Sequence, residues 1–252
     1  MSNIKSIIIS IIFVACTVLI GATPAYAAYY DVGKLIYQVT PKNPIDTAVI
    51  TNNRNTPLYV QIKLMKRQRK DGKDILTPTK DIAAYPPIVK LGPKQSQTVR
   101  IVMHGPFTDN EQLYRMIIND ITPLPQYAKI KPKGAPKGTS VALNFRFKYV
   151  LSVYAAPIKY HMVAGIKAKY KQHKLYISLK NNGNATLRVN QIAFSHLVSN
   201  KEIATSKKGA TVFRGEQHNW VLPTTGKIPA KIRAIVYLAN APKLLYSISV
   251  TK

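Results

Sequence analysis

The chain lacks usable cysteine. Its one thiol, Cys16, lies in an apolar leader that the sequence marks for removal. What remains has no disulfide and no thiol chemistry, so its stability rests on buried apolar area. Carboxylates are also scarce: 10 Asp and Glu stand against 37 Lys and Arg, a formal charge of +27. Four of the acids flank turns, Asp71 and Asp74 around one and Asp109 and Glu111 around another, as turn-forming acids do. Paired-carboxylate hydrolysis therefore has little to draw on. The five histidines, His104, His161, His173, His196 and His218, show no zinc-ligand spacing. No nucleophile elbow, phosphate loop or dinucleotide fingerprint occurs. No cofactor is expected, and nothing argues for an enzyme. No segment of useful length has helical periodicity.

Residues 1–27 read as a secretory signal peptide. Lys5 precedes an apolar run from Ile7 to Ile20, and Ala25-Tyr26-Ala27 forms a cleavage pattern. The run is short for a span of about 20 apolar residues. The expected product begins at Ala28, has no membrane span and is exported. Its roughly 225 residues suffice for one large domain or two modest ones.

A basic chain invites a nucleic-acid reading, but the cations are scattered and no nucleic-acid motif is present. Solubility, and attraction to acidic partners or the envelope surface, explain the charge better.

Strand-length apolar runs fill the chain, separated by Pro41-Lys42-Asn43-Pro44, Asn52-Asn53, Lys70-Asp71-Gly72, Gly92-Pro93 and Gly105-Pro106. Seven such runs up to Tyr154 predict an antiparallel sandwich of immunoglobulin type. A second series after Pro157 predicts another, with a strong turn at Asn181-Asn182-Gly183-Asn184. Asn184-Ala185-Thr186 also fits a glycosylation pattern, but the turn is the better reading. The expected fold is all-β: two immunoglobulin-like β-sandwich domains in an L-shaped arrangement. The expected boundaries are 28–156 and 157–252.

One stretch, VALNFRFKYVLSVY at 141–154, is too long for this plan. At roughly 3.3 Å per residue it would exceed about 40 Å, against about 5–6 residues for a typical strand. Val141, Leu143, Phe145, Phe147, Tyr149, Leu151 and Val153 share one face. The strand either pairs only within its own sandwich, with Phe145 and Phe147 in its core, or offers those side chains to something else.

Three segments resemble periplasmic pilus chaperones. They are YPPIVKLGPKQSQTVRI at 85–101, GPFTDNEQLYRMIINDITPLP at 105–125 and LKNNGNATLRV at 179–189. The form of Glu111, Tyr114-Arg115 and Gly183 to Arg188 looks closest to the alternate, common-pilus branch of that family. The resemblance implies a periplasmic protein that binds pilus subunits, lends its long strand to their open groove and delivers them to an outer-membrane usher. Val141, Leu143, Phe145 and Phe147 would fill the groove. The family holds the subunit's terminal carboxylate with two basic residues, one on the first strand and one on the long strand. Here Ile36 and Tyr37 occupy the first place, and no Lys stands near Leu151 or Ser152. Arg115 is the best substitute and Lys148 the second, since Arg matches a carboxylate with its fork. Alternatively Arg115 is a surface residue paired with Asp120 or Glu111. Another class remains open, a secreted basic β-sandwich adhesin or pilus structural subunit. The absence of a disulfide and of a donor extension just after the signal peptide, where AYYDVGKLIY follows directly, argues against it.

Overall fold

A computed structural model describes residues 29–123, 146–224 and 226–251. All its regular elements are strands. Among the described residues no helix is long and apolar enough to cross a membrane.

Alternation places the first core. In β4 (Leu58–Lys70) Leu58, Val60, Ile62 and Leu64 point inward. In β8 (Ser96–Met103) Val99, Ile101 and Met103 do so, while Ser96, Thr98 and Arg100 face out. Period-two burial of this kind is what a half-buried antiparallel sheet demands. One sheet runs β1 (Tyr30–Asp31), β3 (Ile45–Asn52), β8 and β6 (Ile82–Tyr85). The facing sheet runs β2 (Ile36–Val39), β10 (Lys148–Ala155), β9 (Gln112–Asp120), β4 and β5 (Lys73–Pro78), with β7 (Ile88–Leu91) also on β4. Between them Tyr30, Tyr37, Ile50, Tyr114, Met116 and Ile118 are fully buried.

A second core holds Leu175, Leu179, Leu187, Phe194, Ile232 and Val236. Its sheet runs β14 (Glu202–Ser206), β13 (Leu187–His196), β17 (Lys231–Leu238), β18 (Leu244–Thr251), β11 (Ala164–Lys171), β12 (Lys174–Asn181) and β16 (Gln217–Pro223). The short β15 (Ala210–Val212) pairs with β13.

The strands are more numerous than the apolar runs suggest. The expected first strand is broken at Gly33, whose φ of +76° suits glycine, so β1 and β2 enter opposite sheets. β5, β6 and β14 are short and carry few large apolar residues, which hid them. The Lys70-Asp71-Gly72 turn is confirmed: Asp71 and Gly72 have φ of 51° and 72°, as a tight hairpin needs. It folds β5 back onto β4 with Arg69 opposite Asp74.

Candidate functional site

β10 is paired on one side along its whole length, from Lys148 opposite Asn119 to Ala155 opposite Gln112 on β9. On the other side β2 covers only Ser152 to Ala155, in parallel. The Ser152 amide donates to the Leu35 carbonyl across that edge (3.3 Å). Alternation then sends the main-chain groups of Val150 and Lys148 to the same edge, where no described strand meets them. The Phe147 carbonyl points the other way and accepts from the Asp120 amide (3.2 Å).

The side chains of β10 divide as the sequence alternates. Leu151 and Val153 are buried in the first core. Tyr149 packs against that core and donates its hydroxyl to the Tyr30 carbonyl (2.9 Å). Phe147, next on the same face, is 37% exposed, its ring 4.8 Å from that of Tyr29. Val150, on the opposite face, is 46% exposed. Val141, Leu143 and Phe145 lie outside the described residues.

Arg115 lies opposite Ser152 on the outer face of this sheet. It donates to Ser152 Oγ (2.6 Å) and to Asp74 Oδ2 (2.9 Å). Two more guanidiniums share that carboxylate. Arg69 donates to Asp74 Oδ1 (2.7 Å), and Arg67 Nε lies 2.9 Å from Oδ2, out of line for a hydrogen bond. Arg69 also reaches Glu216 of the second unit (2.9 and 3.2 Å), and both Arg67 and Arg69 stack on Phe213. Burial pushes the Asp74 carboxyl up, but the bonds from Arg69 and Arg115 and the charge of Arg67 outweigh it and hold it well below the carboxylate range. Three guanidiniums against two carboxylates leave this cluster positive. Beside it opens a cavity of 580 Å³ lined by Lys66, Arg67, Arg69, Lys70 and Arg214, with Glu111 at its wall.

The expected partners of Arg115 are engaged elsewhere. Asp120 takes Arg54 and the Thr122 amide. Glu111 accepts from the amide and the hydroxyl of Thr186. Asp74 was expected to serve only a turn; its register opposite Arg69 was the one sequence signal for the cluster. Lys148 stands on the same face as Arg115 but four residues along β10, roughly 13 Å away, so the two do not form one fork.

The junction between the two cores is closed by the Asn181 to Asn184 turn. Asn184 donates to the carbonyls of Asp109 (2.6 Å) and Lys159 (2.7 Å), which occupies the amide of the glycosylation pattern. The Glu111 amide donates to the Asn184 carbonyl (2.8 Å). Burial raises the Glu111 carboxyl, with the Thr186 bonds opposing. Arg188 stacks on Tyr154 at the same seam. Gly183 admits no side chain, since a Cβ would lie 2.3 Å from the His161 carbonyl.

Two facing sheets around the first core and one eight-stranded sheet around the second make an all-β fold of immunoglobulin-like type. The chain belongs to the pili and flagellar-assembly chaperone family: the PapD N-terminal domain model matches residues 33–158, half of its length. No curated protein sequence matches the chain. Among solved structures it is similar to the class 5 fimbriae chaperone CfaA, with 12% identity, 86% of this chain and 98% of that chain covered, and a TM-score of 0.61. It is also similar to a chain of the CsuC–CsuE chaperone–tip adhesion subunit complex of Acinetobacter baumannii (15% identity, 89% and 100% covered, TM-score 0.52). A chain of the Salmonella enterica SafA pilin–SafB chaperone complex gives 17% identity, 90% and 98% coverage and a TM-score of 0.52. At these identities the likeness is one of fold.

Proposed function

We propose that this chaperone works in the periplasm, where it binds, folds and caps pilus subunits by donor-strand complementation and delivers them to an outer-membrane usher. Residues 28–156 would be the unit that carries the donor strand and 157–252 the second unit. The observation that carries the reading is the open edge of β10 at Lys148 and Val150, continuous with the face on which Phe147 stands exposed. An added strand gains affinity from main-chain bonds and specificity from alternate side chains, and chaperone–pilin complementation is an established case. Val141, Leu143, Phe145 and Phe147 would be those side chains. Each fully buried contributes about 1.5–3 kcal/mol. Arg115 would hold the subunit's terminal carboxylate, drawing on the excess positive charge of its cluster, with Lys148 a secondary contact.

The test is co-expression with a fimbrial subunit and recovery of the complex from the periplasm. The Phe145→Asp variant should fold, match the wild type in thermal unfolding and fail to capture the subunit. A folded variant that captures normally would remove the donor role from this strand.

A further inference from the structure

The lysines scattered along the second half of the sequence converge on one sheet face. On β11, Lys167, Lys169 and Lys171 alternate with the inward Ala168 and face out. On β12, Lys174 and Lys180 alternate with buried Leu175, Ile177 and Leu179. The register sets Lys171 directly opposite Lys174, Lys169 opposite Tyr176 and Lys167 opposite Ser178. Among the described residues none of these five lysines forms an ion pair. Residues 157–252 contain only two acids, Glu202 and Glu216, and Glu216 is engaged by Arg69. Like charges set directly opposite one another destabilise a sheet. Folding alone gives no reason to gather them.

Between the lysines stand short residues, Gly165 opposite Lys180 and Thr251 beside Lys169. At its centre the exposed Tyr176 lies opposite the exposed Val221. Arginine, whose fork reads carboxylates with defined geometry, makes most of the ion pairs in the first unit. This face uses lysine, a hydrated point charge that is depleted in protein–protein interfaces. A cationic face spread over two strands with one aromatic suits a diffuse anionic surface, where each Lys contributes by proximity and Tyr settles at headgroup level.

We propose that the β11–β12 face docks the protein on an anionic lipid surface. Docking there is independent of subunit capture, which uses the β10 edge of the other unit.

The test is sedimentation of the soluble exported protein with phosphatidylcholine vesicles, with and without phosphatidylglycerol. Binding should require phosphatidylglycerol and be released by salt. Removing a lysine near an anionic surface costs about fivefold in partitioning, so Lys169→Gln/Lys171→Gln/Lys174→Gln should lose on the order of 100-fold. Its melting temperature should not fall, since a cross-strand repulsion is relieved. Lys167→Gln/Lys180→Gln should lose less, in the same direction. The charge-matched Lys42→Gln/Lys63→Gln/Lys80→Gln, exposed around the first core, should bind nearly as wild type. No binding to phosphatidylglycerol vesicles would overturn the proposal, as would equal losses in both triple variants, which would make net charge the cause. Vesicle binding unaltered in the face variant, with subunit or usher capture reduced instead, would replace the lipid with an acidic protein.

Discussion

Replacing Asp74 by asparagine perturbs the carboxylate on which three guanidiniums converge. The carboxylate is shared by three guanidiniums, at 2.7 Å from Arg69 and 2.9 Å from Arg67 and Arg115. After substitution Arg69 keeps Glu216 and Arg115 keeps Ser152. Arg67, whose side chain is only 5% exposed, keeps no carboxylate. A fully buried pair broken on one side costs about 3–5 kcal/mol, and an exposed pair about 0–1 kcal/mol. With Asp74 partly exposed, a loss of about 2–3 kcal/mol is expected, carried mainly by Arg67 and by the hydrogen bonds of Arg69 and Arg115. For a chain of this size each kcal/mol moves the melting temperature by about 2–4 °C, so a fall of roughly 5–10 °C should appear at neutral pH. The sign of the pH dependence follows from the depressed carboxyl. Its contribution is complete above the unfolded aspartate value of about 4 and is lost as pH falls through the lower folded value. The gap between wild type and Asp74→Asn should thus hold from pH 7 to 5 and narrow in strong acid. Thermal unfolding followed by circular dichroism across that range measures it. A variant that melts with the wild type at pH 7, or a gap unchanged into strong acid, would refute the assignment of Asp74 as the hub of the cluster.

Arg115→Ala should fold with a modest loss of stability and weaken subunit binding tenfold or more, since a hydrogen bond to a charged group contributes about 1.5–3 kcal/mol; titration with a purified subunit decides it, and unchanged affinity removes Arg115 from the site. Glu111→Ala leaves the buried Thr186 amide without its acceptor and should cost about 1–3 kcal/mol, whereas Glu111→Gln keeps an acceptor and should cost less; chemical denaturation that ranks the two the other way contradicts the junction described. The raised Glu111 carboxyl adds its own signature: its contribution to stability should grow as pH falls from neutral through its folded value, and Glu111→Gln should flatten that trend.

The alternation of Val99, Ile101 and Met103, or of Leu175, Ile177 and Leu179, is visible in the chain itself, because burial on one face of a sheet imposes a period of two. So was the turn at Asp71-Gly72, which needs residues that tolerate positive φ. The ion partners were not legible. Arg115 could be assigned to Asp120 or Glu111 by nearness in sequence, but partners across a sheet are chosen by register. β9 sets Arg115 opposite Met65, and the β4–β5 hairpin then swings Asp74 within reach. The lysine face was hidden for the same reason. Lysines at alternate positions of two strands look dispersed along the chain and become neighbours only when Lys171 and Lys174 close the hairpin between them.

The central claim, that β10 offers its free edge to a subunit, is tested most directly at Val150. Its amide points to the edge that β2 leaves open, so Val150→Pro removes no bond within the protein's own sheet, and proline is tolerated where a strand's N–H faces outward. The measurement is subunit capture from co-expressing cells, read beside the melting temperature of the purified variant. The account predicts a folded protein that no longer captures the subunit. A folded Val150→Pro protein that captures it as well as the wild type would contradict the account.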